Sequence, residues 1–282
     1  MKKKSGLIKQ LPNIIFGLIF LAGLAIFLYP SVSNYINSKN QSRTITSYTD
    51  SLAKLTPEDY TALWDAAKEF NDDLYHSSNF MHLNDEQKSK YYKAMDPTGN
   101  GVMGYIEIEN IGVSLPIYHG TDESVLQVGI GHLEGSSFPT GTPNSHAILS
   151  GHRGLPSAKL FSDLDQMIVG DTFLLHILDQ TFAYQVDDIN IVLPEQTGSL
   201  MIHNGEDYVT LVTCTPYGVN THRLLVRAKR VDYNAETRLI VPADAIRYSP
   251  MVVAPFIGAP LLLLAFIIFL YLTKRPKKEK VK

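Results

Sequence analysis

The sequence predicts a mainly β domain, a closed barrel of about eight short strands, set behind a helical extension and between two apolar segments. Three observations lead there. From Gly101 onward the chain breaks into short runs rich in β-branched and aromatic residues, separated by Gly, Pro, Asn and Asp. Few helical patterns interrupt those runs, which favours an antiparallel or mixed barrel over a doubly wound sheet. Upstream of Gly101 the spacing of apolar residues is helical instead.

The elements follow in order. Leu11 to Leu28 is nearly all apolar, broken by Pro12 and Asn13 near its start, and it follows a lysine cluster. It reads as a signal peptide or an uncleaved anchor, and the small residues Ser31 and Ser33 leave both open. Residues 47–75 read as helix, with Thr56-Pro57-Glu58-Asp59 as a start signal and Leu63, Ala67, Phe70 and Leu74 at helical spacing. A short helix is expected over Asp85 to Ala94. Strands are expected at Val102–Ile108, Ser114–Tyr118, Ser145–Ser150, Thr172–Leu178, Thr181–Asp187, Ile189–Leu193, Tyr208–Cys214 and Arg223–Tyr233. The fourth and fifth form a hairpin around Asp179-Gln180. Small helices fit near Ser124–Gly129 and Lys159–Gln166. Met251 to Leu272 holds no charge and reaches the ~20 residues a membrane helix needs; Pro255, Gly258 and Pro260 are tolerated in such helices.

Charge is distributed unevenly. The chain has 25 Lys and Arg against 28 Asp and Glu. Ten of the basic residues and one acid fall at the two ends: Lys2, Lys3, Lys4 and Lys9 in front, and Lys274, Arg275, Lys277, Lys278, Lys280 and Lys282 with Glu279 behind. The middle is therefore acidic, which argues against nucleic acid as a partner. Basic ends beside apolar runs argue for the lipid bilayer, with both tails cytoplasmic and residues 36–249 outside the cell. The expected organisation is a basic tail and membrane segment over 1–35, a helical, lid-like extension over 36–100, a barrel over 101–249, a membrane helix over 250–273 and a basic tail over 274–282.

A single cysteine excludes an intrachain disulfide framework and a cysteine-rich zinc site. A lone thiol kept in an extracellular domain also risks oxidation, which favours a job for it. Cys214 ends the β run Tyr208–Thr213, and Thr215-Pro216-Tyr217-Gly218 then turns the chain back toward Arg223. Adjacent strands joined by that loop would bring Cys214 and Arg223 together at one mouth of the barrel. His152, in Ser150-Gly151-His152-Arg153-Gly154, also follows a β run. The chemistry suits these residue types. A thiolate is a strong nucleophile, an imidazole can take its proton and return it to a leaving amine, and a guanidinium offers fixed donors to a developing oxyanion. His222 is the rival base, but it neighbours Arg223 on a strand and so points to the other face. Arg153 and Arg227 are expected to be solvated. Thr213 and Tyr217 are candidates to line the cleft.

TLVTC followed by TPYGVNTHRLLVRA resembles the active-site pattern of the sortases. The fuller run, with GVMGYIEI upstream and a C-terminal membrane helix, is similar to the class C, pilin-polymerising members. The resemblance spans roughly Gly101 to Val231. It implies an eight-stranded sortase-type β-barrel, with Cys214 as nucleophile, His152 as its proton-transfer partner and Arg223 as the substrate and oxyanion clamp. It implies a transpeptidase that cleaves an LPxTG-like sorting signal between Thr and Gly, holds the acyl group as a thioester and passes it to a lysine amine of another pilin. It also implies pilin or surface-protein partners and no cofactor or metal, and the sequence contains no P-loop, HExxH or dinucleotide fingerprint. Anchoring of surface proteins to the wall by a housekeeping sortase and hydrolysis by a membrane-bound cysteine peptidase are the alternatives. Class C members carry a lid with an Asp-Pro-aromatic motif, and HSSNFMHLNDE at 76–86 lacks it. Phe80 and Met81 are the lid candidates, and deleting residues 76–90 is expected to change the rate little.

Overall fold

Eight strands, β1 (Val102–Ile108), β2 (Val113–His119), β3 (Ile130–His132), β4 (Ser145–Ser150), β5 (Thr172–Ile177), β6 (Gln180–Val192), β7 (Asp207–Thr215) and β8 (His222–Val231), close into a barrel in the order β1-β2-β3-β4-β7-β8-β6-β5 in the computed structural model. Residues 4–77, 80–233 and 250–274 are described; Lys2, Lys3, the tail from Arg275 and residues 234–249 of the expected barrel segment lie outside them. The β2–β3 and β4–β7 pairs are parallel and the other six are antiparallel. Alternation along each strand fills the interior. Ile106, Phe173, Leu175, Val209, Leu211 and Val226 are buried within it, while Tyr105 and His176 stack on the outside with ring centroids 4.3 Å apart.

The expected number of strands is right for reasons that cancel. Thr181–Asp187 and Ile189–Leu193 are one strand, β6, bent by a bulge between Val186 and Asp188. An extra residue at such a bulge interrupts the alternation and imitates a boundary. Meanwhile β3 is too short to register as a run. Its central Gly131 lets the backbone pass against Gly120, where a Cβ would lie 2.3 Å from the carbonyl oxygen. The expected helix over 47–75 is two helices, α1 (Lys4–Leu52) and α2 (Pro57–His76). Pro57 cannot donate to a preceding turn, and it biases Thr56 to the extended backbone it adopts. Thr56 then caps α2 reciprocally with Asp59, at 3.2 and 2.9 Å. Helix α3 (Asp85–Lys93) and the single turn α4 (Glu123–Leu126) fall where expected; of Lys159–Gln166 only Leu164–Gln166 is helical, as one 3-10 turn.

The chain forms two units, Met1–Tyr35 with Ile240–Lys282, and Ile36–Leu239. In the first, Ile14 onward in α1 is long and apolar enough to cross a membrane by length and composition, and α5 (Pro250–Lys274) packs against α1 through Phe20 and Phe266, stacked 4.2 Å apart. In the second, the end of α1 and one face of α2 pack into the hydrophobic core. The Tyr48 hydroxyl donates to Met103 O and accepts from Leu178 N, each at 2.8 Å. Trp64 Nε1 donates to Asp179 at 2.8 Å, and the Asn71 amide closes a two-way pair with the Phe138 backbone at 2.9 and 2.7 Å. Leu52, Phe70 and Leu74 fill the space between.

Three buried histidines, His119, His132 and His146, make this unit acid-sensitive. His132 is sealed between Tyr91 OH, 2.9 Å from Nδ1, and Ser137 O, 2.8 Å from Nε2; burial pushes it down from 6.5 to about 3. His146 sits between Met201 O and Thr210 Oγ1, and burial pushes it down to about 4. Their stabilising contribution is complete above 6.5 and is lost as pH falls through those values. Asp207, raised by burial from 3.8 to about 6, acts oppositely: its contribution is present below 3.8 and lost as pH rises through 6. His132 and His146 against one carboxyl leave the unfolded chain binding about one proton more, and His119, also lowered by burial, adds in the same direction. Unfolding free energy is therefore expected to fall between pH 6 and pH 4 by at least ~1.4 kcal/mol per pH unit. Urea titrations at several pH values check this, and a flat or rising midpoint on acidification would contradict it.

Candidate active site

Three neighbouring strands carry the reactive groups to one level. Antiparallel pairing sets Cys214 of β7 directly opposite Arg223 of β8. Parallel pairing sets Ser150 of β4 opposite Val212 of β7, and the ladder continues one step further through Gly151 N–H to Val212 O at 3.0 Å. Carried one residue past that bond, the same register aligns His152, two residues beyond the end of β4, with Cys214. The rung therefore runs from His152, just past β4, to Cys214 on β7 and Arg223 on β8. Nothing in the sequence between Ser150 and Val212 announces this parallel contact; it exists because the β5–β6 hairpin is folded to the far side of β8.

Each member has local support. Gly151 admits the turn after β4, since a Cβ there would lie 2.7 Å from both Ile130 Cδ1 and Phe161. The His152 carbonyl accepts from Phe161 N at 3.1 Å. Cys214 is a free, half-buried thiol on the outer face of β7. Arg223 donates to the carbonyls of Asn220 and His222 at 3.2 and 3.1 Å, which fixes one edge of its guanidinium. His222 pairs with Thr215 in the register, one step from the Arg223–Cys214 pair, and its Nδ1 lies 2.9 Å from Thr221 Oγ1. It is on the face opposite the rung, as alternation requires.

Alongside the rung lies a groove of about 220 Å³ lined by Ile148, Val192, Leu200, Val212 and Leu225, with Thr121, Ser150, Gln196, Thr197 and Arg223 as polar members. Met81 also lines it, and Phe80 packs on the same apolar cluster. The backbone at Met81 is left-handed, with φ 63. Its N–H donates to Gly135 O at 3.1 Å, and a Cβ on Gly135 would lie 2.7 Å from Met81 Cα. The segment is thus docked backbone to backbone on the β3–β4 loop.

Several expected roles change. Thr213 does not reach the groove: alternation turns it inward, where it is 2% exposed and its hydroxyl donates to Gly151 O at 2.7 Å. Tyr217 is exposed on the β7–β8 loop and lies over Gly154, not in the groove. Arg153, expected in solvent, has a side chain only 8% exposed. It is ion-paired with Asp165 and donates to Thr215 Oγ1 at 3.1 Å, bridging the His152 loop to the end of β7. Arg227 is likewise paired, with Asp187 at 3.0 Å, and lies over the Tyr208 ring. Asp165, Asp187 and the bulge that presents Asp187 are distant in sequence or irregular, so no local pattern signals either pair. Among the described residues no cluster of His, Cys, Asp and Glu is arranged to hold a metal.

A thiol, an imidazole and a guanidinium on one rung beside an apolar groove form a constellation suited to acyl transfer through sulfur. Comparison with known proteins gives the class. A family described as Sortase domain matches residues 106–231. The structure of sortase C1 from Streptococcus agalactiae is 49% identical, with a TM-score of 0.67, over 68% of this chain and 100% of that one. Sortase C from Streptococcus pneumoniae, whose structure is described in terms of catalysis and pilin substrate specificity, is 42% identical with a TM-score of 0.61, over 68% and 98%. Sortase C from Clostridium perfringens, solved with the C-terminal cell wall sorting motif, is 41% identical with a TM-score of 0.61, over 68% and 100%. The chain belongs to the sortase family and is a cysteine transpeptidase of that type. These solved neighbours are all class C sortases.

Proposed function

We propose that this chain is a pilin-polymerising sortase that cleaves an LPxTG-like sorting signal between Thr and Gly and joins the acyl group to a lysine amine of another pilin. The observation that carries the reading is the rung His152–Cys214–Arg223 at the groove. In the first step the Cys214 sulfur attacks the Thr carbonyl carbon. His152 takes the thiol proton and gives it to the departing Gly amine, so a thioester forms as the peptide bond breaks. Arg223 aims its fixed donors at the oxygen that becomes anionic. In the second step the lysine amine attacks the thioester, loses its proton to His152 and expels the sulfur, leaving an isopeptide bond. The bond energy of the cleaved peptide is kept in the thioester, so no nucleotide is required.

Ile148, Val192, Leu200 and Leu225 give the groove the apolar walls that a Leu-Pro pair would fill. The domain boundaries fit the same reading: an anchoring segment over 1–35, an extension with a lid-like strap over 36–100, a catalytic barrel over 101–249, and a second membrane span over 250–273 with both basic tails on the cytoplasmic side.

The test is the intact mass of the protein after mixing with an LPxTG-type peptide. The expected result is a gain equal to the peptide up to Thr, discharged by added amine. No adduct with any sorting-type peptide, together with a thiol inert to alkylation, would overturn the reading.

A further inference from the structure

We propose that Glu123 is a positioning residue for His152: its carboxylate holds the imidazole by Nε2, so that the opposite nitrogen, Nδ1, exchanges the proton with Cys214. The inference rests on the proton-transfer role read for His152 above.

Three observations carry it. Glu123 Oε2 lies 3.5 Å from His152 Nε2. That nitrogen is closed to solvent and has no hydrogen bond among the described residues. The carboxylate is also aimed: its other oxygen, Oε1, is taken by the side chain of Gln127, the residue that caps α4, which leaves Oε2 to face the ring. Glu123 is held ionised, below the usual carboxylate range, first by that Gln127 hydrogen bond and then by the imidazole it faces.

The helix that carries Glu123 is fixed in place. α4 lies in the crossover between the parallel strands β2 and β3. Gly129 just behind it sits where a Cβ would come within 2.9 Å of Pro116 O and 2.6 Å of the Tyr118 ring. Gln41 of α1 donates to Val128 O at 3.0 Å, pinning the end of the turn from outside the barrel. A short helix so constrained can set a side-chain direction.

The groups that face His152 are few. Cys214 on β7 is the residue the register aligns with it, and Arg223 pairs with Cys214 from β8. Glu123 approaches from α4. Arg153, next in the chain, is turned away to Thr215 and Asp165. Glu123 is thus the anion at the Nε2 edge of the ring. In a neutral imidazole one nitrogen donates and the other accepts, and the partner of one decides the role of the other. A carboxylate at Nε2 selects the tautomer whose Nδ1 can receive the thiol proton, and it favours the imidazolium that results. Because the Glu123 side chain is 70% exposed, solvent screens this charge and the effect is moderate.

Exposure also makes the test clean, since Glu123→Gln keeps the shape and buries nothing new. In the full-length chain in detergent micelles, with an LPxTG-type peptide and an amine acceptor, kcat is expected to fall about fivefold with KM unchanged. The thermal midpoint does not move. A Glu123→Gln enzyme with the wild-type kcat, beside an inactive His152→Ala, overturns the role of Glu123 alone. An active His152→Ala overturns the reading of His152 beneath it.

Discussion

Removing any one member of the rung is expected to lower kcat/KM for a sorting peptide by at least ~1000-fold, and removing all three is expected to cost little more than removing one. Cys214→Ala deletes the only thiol in the chain, so no thioester can form. His152→Ala leaves the sulfur without a proton acceptor and the leaving amine without a donor. Arg223→Ala removes the donors opposite Cys214, and Arg223→Lys is expected to recover only part of the loss, because an ammonium cannot reproduce a planar fork. The fold should survive all three changes: none of these residues belongs to the buried core. Steady-state kinetics with thermal melts on the single and triple variants make the check. Additive losses, each a separate few kcal/mol, would mean that the three residues do not act on one transition state.

The double variant Phe80→Ala, Met81→Ala is expected to raise the rate of peptide acylation by about tenfold to thirtyfold. Both side chains pack on the apolar cluster of the groove, and Met81 lines the groove itself. Burying a full side chain of this size stabilises by ~1.5–3 kcal/mol, and these two are part-buried, so ~2 kcal/mol for the pair is a reasonable scale. A peptide entering the groove has to displace them first. Cys214 is not among the groove-lining residues, so alkylation by a small reagent should stay at the wild-type rate while acylation by peptide rises. Equal acceleration of both reactions would point to a general loosening, and no acceleration of either would show that Met81 is not a barrier. The placement of Met81 reverses the small effect expected from the sequence for deleting residues 76–90. That deletion is also the poorer experiment, since it removes the Asn84–Gln87 capping pair and two thirds of α3.

What could be read beforehand, and what could not, follows from where the information lies. Strands with strong alternation, such as Val102–Ile108, are decided by their own residues. The facing of Cys214 and Arg223 was legible because one short loop joins their strands. The alignment of His152 with that pair was not, because it depends on parallel pairing between strands 62 residues apart, as in Ser150 and Val212. Thr213 could have been placed correctly by alternation alone: if Cys214 faces out, its neighbour faces in. β3 and the β6 bulge depend on tertiary contacts that override local preference. Met81 occupies a left-handed loop position, and no periodicity predicts its direction.

The parallel pairing of β4 with β7 also bears on how the chain acquires its activity. Non-local pairings form late, because the loop they close must be ordered before the contact rewards it. Here the intervening chain includes the whole β5–β6 hairpin. Until β7 is laid between β4 and β8, His152 and Cys214 belong to separate, unconnected stretches, and the thiol is no more reactive than that of an unfolded peptide. A chain still emerging across a membrane would therefore carry a dormant cysteine, and closure of the barrel would be the event that arms it.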